Sequence, residues 1–484
     1  MEGTVSSVLR LHRTLAPCSG KHNRRKRRAS ICRGEYFQFL PPAFCLIALC
    51  NKKGAGDMQR CRVLLINDFL HKGGAEIVYE QSARLLSTLS GVDVECFDDS
   101  RFVMQTSMKS RIWNPAAARA LENTILRFKP HRVLVHNYHN ALSPSVLGVI
   151  ARHKRSLGYR TYHTCHDYHL VYYNPALQYF KKGRPEILPL EALSTRAALK
   201  LRSSPKGLMH DLMTKTYWHV VRAACQPSRV FDQILCPSAY MQEALNRCGI
   251  ANTVILHNPS SVPAALIPSP IRGKERFNLA FAGRLAQEKG LRQFIELAQA
   301  ADFRHIESIG VYGEGPERAV IEQRFASLIE RGKVIFFGSL PQERLFAEIQ
   351  RFADAVIVPS VCAENAPLIV IEAAMLGLPA LVRDGGSMAT TADAVGNKIK
   401  FSTGPDSLKL ALAELATHLS NPERRYEVSE YLPEYYAERL AEIMDLARIM
   451  DVGQVPVLAP HHEFAVQNTQ SSDSSAAMAS RRMP

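Results

Sequence analysis

The chain predicts an α/β protein built as two halves, each a parallel sheet covered by helices. Three observations carry this. Short apolar runs of buried-strand type recur, among them Cys61 to Asn67, Phe277 to Ala282 and Ala355 to Val358. Each leads into a glycine- or proline-bearing loop and then a helical stretch, the order of strand–helix units. Between the halves, residues 259–276 hold Pro259, Pro263, Pro268 and Pro270 among several serines, which reads as a linker.

Composition narrows the class. A length of 484 residues suits two or three domains, and 46% hydrophobic with 22% charged residues is ordinary for a globular α/β chain. The net charge is +15, yet residues 1–60 hold twelve Lys and Arg against three Asp and Glu, so +9 of it lies there. The body is only mildly basic. That argues against a nucleic-acid partner and leaves an anionic substrate or an anionic membrane surface. Eleven Cys without C-x-x-C pairs or a His/Cys ligand spacing read as free thiols in a reducing cytoplasm, with no zinc site.

Residues 1–60 read as a basic, disordered or loosely attached extension centred on Arg24, Arg25, Lys26, Arg27 and Arg28. The apolar run Tyr36 to Cys50 is too short for a comfortable membrane span. It sits late for a signal peptide and lacks a small-residue cleavage site. Initiation at Met58 is the other reading of this region.

The first half, residues 61–258, opens on the strand Cys61 to Asn67. A loop with Gly73 and Gly74 follows, then a helix whose apolar residues include Ile77, Leu85, Leu86 and Leu89. The glycines allow a close backbone approach at the strand's carboxyl end. Val92 to Phe97 is a second strand, and Asp98-Asp99 behind it are loop charges. Arg132 to His136 and Arg160 to Cys165 are the next strands; the latter runs into T-C-H-D-Y-H-L. The spacing of His163, His166 and His169 does not put three ligands on one strand face, so no metal is expected. Pro175 to Gly207 is irregular and basic, with Lys181, Lys182, Arg184, Lys200, Arg202 and Lys206. It reads as a functional loop or helical insertion suited to an anionic membrane surface. Ile234 to Pro237 is a strand, Ser238 caps the following helix, and Thr253 to His257 is the last strand.

The second half, residues 277–424, opens on Phe277 to Ala282, with Arg284 and Lys289 in the loop at its carboxyl end. Open α/β sheets bind phosphates at such ends. G-E-G-P-E-R after the strand Glu307 to Tyr312 is not a dinucleotide fingerprint, because Arg318 stands where the third glycine would be. Residues Asp354 to Gly386 then read strand, loop, helix, strand, loop. Pro367 begins the helix, Leu368 to Leu376 is its body, and Gly377 with Pro379 ends it. The helix start offers unpaired N–H groups around Ala366, Leu368 and Ile369 and hence an anion site. Glu364 before the helix and Glu372 within it could accept hydroxyls on either side of that anion, which is the shape of a sugar nucleotide. Ser407 to Ser420 and Leu440 to Met450 are further helices, the latter within a crossing region at 425–452. Residues 453–484 are Ser-, Ala- and Gln-rich and read as a disordered tail.

These motifs resemble family 4 retaining glycosyltransferases. The likeness rests on E-x7-E from Glu364 to Glu372 with G-L-P and G-G behind it, on G-R-L-A-Q-E-K-G around Arg284 and Lys289, on H-D at His166-Asp167, and on G-G-A-E at Gly73. It spans about residues 61–450 and implies the GT-B fold, with two Rossmann-like domains facing a cleft and a C-terminal helix crossing back. It implies Arg284 and Lys289 on the donor diphosphate, Glu364 and His166 at the transferred sugar, and Glu372 on the ribose. Gly73, Gly74, Asn365, Ala366, Pro367 and Leu368 complete the donor site, with Asp167 on the acceptor side. One departure stands out: relatives often carry an acid just after the double glycine, whereas here Ser387-Met388-Ala389-Thr390 follow, leaving Asp393 as the nearest substitute.

The expected activity is metal- and cofactor-independent hexosyl transfer, with retention, from a nucleotide-diphosphate sugar to an acceptor hydroxyl. The acceptor would be a glycan or lipid-linked glycan in cell-surface polysaccharide synthesis, in the cytoplasm or at the inner face of the membrane. A GT-B sugar-nucleotide epimerase and a non-catalytic sugar- or lipid-binding protein are the alternatives.

Overall fold

The computed structural model describes residues 60–70, 73–102, 112–193, 199–263, 275–397, 399–421 and 425–447. The readings made for residues 1–59, for most of the linker and for the tail fall outside these.

Two six-stranded parallel sheets form the frame. In the first the order is β2-β1-β3-β4-β7-β8, with β1 Cys61–Ile66, β2 Val92–Phe97, β3 Arg132–Val135, β4 Arg160–Thr164, β7 Gln233–Cys236 and β8 Thr253–Ile255. In the second it is β11-β10-β9-β12-β13-β14, with β9 Phe277–Ala282, β10 Ile306–Tyr312, β11 Val334–Gly338, β12 Ala355–Val358, β13 Ala380–Arg383 and β14 Lys400–Phe401. The central strands are buried on both faces, which is why they read as continuous apolar runs; every residue of β12 is buried. In each sheet the strand order reverses beside the first strand. The loops after β9 and β12 therefore diverge and leave a crevice between them, where open α/β sheets take ligands.

Several elements match their sequence signals closely. Val92–Phe97 and Phe277–Ala282 are strands, and Ser238 caps the helix Ala239–Arg247 by accepting from Met241 N. Others differ. The Pro175 to Gly207 stretch contains an antiparallel hairpin, β5 Gln178–Lys181 with β6 Arg184–Ile187, where Leu177 and Lys182 take positive φ. The first-half helix Gly74–Thr88 buries Val78, Tyr79 and Leu86 while Ile77 faces outward. Gly385-Gly386 is not the start of a loop but of the helix Gly386–Ala394.

A helix runs Pro433–Ile443, beginning seven residues before the Leu440 read from the sequence, and helical backbone resumes at Leu446 and Ala447; the end of that reading, 448–450, lies outside the described residues. Proline at its first turn fixes the start, and Asp445 at φ 52 breaks the helical path. Its residues Tyr436, Leu440, Ala441 and Met444 join Cys61, Val63, Leu65 and Tyr79 in one core against the first sheet. Ser82 Oγ and Tyr436 OH lie 2.7 Å apart there, and Arg132 Nη2 donates to Asp445 O at 3.2 Å. Among the described residues no helix is long and apolar enough to cross a membrane.

Candidate active site

A cavity of about 490 Å³ opens between the carboxyl ends of the two sheets. From the second half it receives Lys289 and the loop Pro359 to Leu368, and from the first half Gly74, His166, Asp167 and Tyr168.

Local backbone geometry places Lys289. It ends a 3-10 turn, Gln287–Lys289, closed by Gly290 at φ 71. A Cβ on Gly290 would sit 2.0 Å from Pro359 O, so only glycine lets this turn press against the end of β12. Val361 N donates to Glu288 O at 2.9 Å and ties the two loops together. Lys289 Nζ then meets Glu364 Oε1 at 2.6 Å. Ser360 Oγ donates to the same oxygen at 2.6 Å. Burial alone would push the Glu364 carboxyl up, but the Lys289 ammonium and the Ser360 and Cys362 hydrogen bonds outweigh it and hold it below its ordinary value. Lys289 is raised in turn, because Glu364 more than offsets its own desolvation.

The first half clamps this loop. Tyr168 OH donates to Glu364 O at 3.1 Å, Asn365 Nδ2 to Cys165 O at 2.6 Å, and Gln178 Nε2 to Val361 O at 2.8 Å. Ser238 Oγ donates to Asn365 O at 2.8 Å, Ser387 Oγ also donates to Glu364 O, and Ala363 N donates to Ala176 O at 3.1 Å. The loop is thus fixed from both sheets before any ligand arrives. The helix behind it runs Leu368–Met375 with Pro367 at its N-cap. In its first turn Val370 N donates to Pro367 O at 3.0 Å, which leaves Leu368 and Ile369 as the N–H groups that a helix start keeps free of intrahelical partners. Asn365 Oδ1 and Asn258 Oδ1 are buried without a hydrogen-bond partner, and both residues line the cavity. Two orphaned amide oxygens mark a place for a hydroxyl- or amine-bearing ligand.

Glu372 sits apart. It is buried on the helix, outside the cavity lining, with Ser260 Oγ 3.5 Å from Oε1. Desolvation dominates there, with Ser260 and Gln342 opposing weakly, and the carboxyl is pushed up to about 7. Arg284 also lies outside the lining. It extends into solvent and pairs with Glu288 four residues on. Gly73 is an N-cap at φ −173, extended backbone that any residue adopts, and a Cβ on Gly74 would meet nothing within 4 Å. Neither glycine is demanded by the surrounding protein. At Gly74 the missing side chain leaves room in the cavity.

His166 is half-buried and neutral, lowered to about 3 by desolvation with His163 adding to it. Its Nε2 lies 2.9 Å from His136 Nδ1, with the rings stacked at 5.1 Å. His136 Nε2 is buried without a partner. A bare lone pair is cheaper to bury than a bare N–H, so His136 donates from Nδ1 and His166 carries its own proton on Nδ1. Asp167 accepts from His169 N at 2.9 Å and from His169 Nδ1 at 3.0 Å. Burial raises Asp167, but His169 and His139 overcome it and keep it ionised. His139, Asp167 and His169 offer ligand atoms within 4.8 Å of one another and are, among the described residues, the cluster able to hold a metal ion. His139 joins from the β3 side, so spacing within the T-C-H-D-Y-H-L run could not reveal this set. Asn258, Ser360, Ser387 and His136 likewise carry no local motif, and Tyr168 and Ser238, though they stand in the T-C-H-D-Y-H-L run and at a helix start, matter here through contacts made across the fold.

Comparison with known proteins agrees with this geometry. Residues 267–434 match the family model for glycosyl transferases group 1, so the chain carries such a domain over the half that supplies Lys289 and Glu364. A 2-deoxystreptamine glucosyltransferase of Streptomyces kanamyceticus is 31% identical over 169 residues, covering 32% of this chain and 43% of that protein. An uncharacterized glycosyltransferase of Methanocaldococcus jannaschii is 30% identical over 131 residues, covering 27% and 33% respectively. The matched part thus spans between a third and a half of these relatives. Among solved structures, the lipopolysaccharide outer core galactosyltransferase WaaB aligns with TM-score 0.51 at 14% identity, covering 80% of this chain and 99% of that one. Sucrose-phosphate synthase from Thermosynechococcus elongatus aligns with TM-score 0.50 at 14% identity, covering 81% and 96%. The fold is GT-B.

Proposed function

We propose that this protein is a retaining glycosyltransferase of the family 4 type, moving a hexosyl group from a nucleotide-diphosphate sugar to an acceptor hydroxyl. The observation that carries the reading is the Lys289–Glu364 pair, held in a cavity at the start of the Leu368–Met375 helix within the matched domain. In this reading the diphosphate lies against Lys289 and the helix N-terminus, with Arg284 swinging in from solvent. As the bond from the anomeric carbon to the diphosphate oxygen breaks, its electron pair goes to the phosphate. Lys289 and the first-turn N–H groups stabilise that charge most strongly in the transition state. The acceptor oxygen bonds to the same face of the anomeric carbon while its proton passes to the departing diphosphate. Cations and N–H groups of the chain carry the charge, so the proposal needs no metal.

Glu364, ionised by its partners, takes sugar hydroxyls and supports the oxocarbenium-like sugar. Neutral His166 offers its Nδ1–H to the sugar, and Asp167 stands on the acceptor side. Glu372 takes the ribose hydroxyls once Ser260 yields its place. The acceptor class is a glycan or lipid-linked glycan.

A panel of nucleotide-diphosphate sugars in a thermal-shift assay tests this, because a true donor stabilises by mass action, about 2.7 kcal/mol at a hundredfold excess over Kd. One sugar nucleotide should raise the melting temperature clearly and be slowly hydrolysed. The released sugar should keep its anomeric configuration by NMR. A flat response across uridine, guanosine, adenosine and thymidine donors at millimolar concentration would overturn the reading.

A further inference from the structure

The helix Leu208–Cys225 is amphipathic the wrong way round for a soluble surface. Its charged residues turn inward. Asp211 is buried and pairs with Lys215 at 2.7 Å, and Arg222 Nη1 donates to Leu170 O at 2.6 Å. Its outward face shows Leu208 at 72% exposure, Met209 at 74%, Leu212 at 59% and Met213 at 63%. At 100° per residue these, with the exposed Thr216, His219 and Val220 farther along, fall on one continuous side without an acidic residue. Neighbouring segments extend the face. Tyr217 OH reaches Ile112 O at 3.5 Å beside the exposed Trp113, and Lys215 Nζ holds Leu199 O at 3.0 Å. Contiguous exposed apolar surface of this kind marks a contact with another phase or partner.

We infer that this face docks on an anionic lipid bilayer. The charge around it selects that occupant. Exposed Lys200, Arg202 and Lys206 border the first turn of the helix. Apolar side chains flanked by cations at the first turn, with a tryptophan at the edge, have the chemistry of an interfacial helix lying in the headgroup plane. A second copy fits less well, since a two-fold contact through this face would bring the same three cations together. The underside of the helix lines a second cavity of about 260 Å³ with Trp218 and Arg222, reaching His169, the partner of Asp167. The second cavity therefore ends at a direct hydrogen-bond partner of Asp167, a residue that lines the main cavity on its acceptor side. That last link rests on the glycosyl-transfer reading; the docking does not.

Co-sedimentation of the full chain with vesicles tests the inference. Vesicles of equal phosphatidylglycerol and phosphatidylcholine should pellet the protein, and pure phosphatidylcholine should not. Replacing Met209, Leu212 and Met213 together by Gln should weaken binding at least tenfold with an unchanged melting curve. Replacing Lys200, Arg202 and Lys206 by Gln should weaken it by about fivefold per cation. The chain has two tryptophans, so a blue shift on vesicle addition that disappears in Trp113→Phe reports insertion at this edge. Equal binding by the Met209, Leu212 and Met213 variant would overturn the inference and place the contact elsewhere, for instance on Arg24 to Arg28. A dimer in light scattering that the same variant converts to monomer would overturn it in favour of a second copy. The donor thermal shift should be untouched in both sets of variants, so failure of the docking and failure of the transferase reading are read separately.

Discussion

Glu364 and Glu372 lie eight positions apart on one strand–loop–helix unit, yet their surroundings shift the two carboxyls in opposite directions. At Glu364 an ammonium and a hydroxyl converge on one oxygen, and the carboxylate stays ionised despite its burial. At Glu372 burial meets only weak hydrogen-bond donors, and the proton is retained up to about pH 7. Burial by itself decides neither case. What decides is whether a cation shares the enclosure. The first site is assembled before ligand arrives, whereas the second has a carboxyl that meets weak hydrogen-bond donors and no cation.

The comparison breaks most sharply at Lys289. In Lys289→Ala the developing diphosphate charge loses its cation, and turnover should fall about a thousandfold, the scale of losing a preorganised transition-state contact. The same change leaves Glu364 ionised without its partner. A stability loss of about 1–2 kcal/mol is expected, below the cost for a fully buried pair because the ammonium is partly exposed. Near-normal kcat with one matched donor would remove Lys289 from the diphosphate.

Glu372→Gln tests the other side. The folded value near 7 lies above the ordinary 4.5, so the native state binds the extra proton and the wild-type carboxyl costs stability as pH rises between those values. Gln carries no such cost. The variant should gain about 3 kcal/mol over wild type at pH 8 and almost nothing at pH 4.5, read by urea denaturation. If ribose hydroxyls donate to the ionised carboxylate, wild-type donor affinity should also tighten severalfold from pH 6 to 8, and the variant should lose that slope. A pH-independent stability difference would show that Glu372 ionises normally.

Arg284→Ala should be the mildest. Its guanidinium pairs with an exposed neighbour outside the cavity, so a loss of tenfold or less in kcat/KM is expected, about 1.4 kcal/mol. A loss equal to that of Lys289→Ala would mean that donor binding draws Arg284 fully into the site.

How much of this was readable in advance follows from where the information sits. Both cavity groups of the second half, Lys289 and Glu364, announce themselves in short motifs, because each loop is one continuous piece of chain at a strand end. The fold was legible for the same reason: strands such as β2 and β12 are bounded by local turn chemistry. His136 and Asn258 could not be found that way, since each joins the site from a distant segment, and Tyr168, though next to Asp167 in sequence, acts through a bond to Glu364 O that spans the two halves. Leu208–Cys225 was missed because its apolar residues face outward and its charges inward, which defeats a periodicity that assumes a watery exterior. The start of the Pro433–Ile443 helix was placed seven residues late because apolar content outweighed the proline that starts it.

One consequence concerns the order of synthesis. Cys61, Val63 and Leu65, near the beginning of the described chain, share their core with Tyr436, Leu440 and Met444 near its end. The early helix Gly74–Thr88 brings Tyr79 and Leu86 to the same face of the first sheet, but the part of that face closed by the late residues must wait, uncovered, until almost the whole polypeptide has left the ribosome. A nascent chain halted anywhere before residue 433 would present that apolar face to chaperones, however complete its own strands.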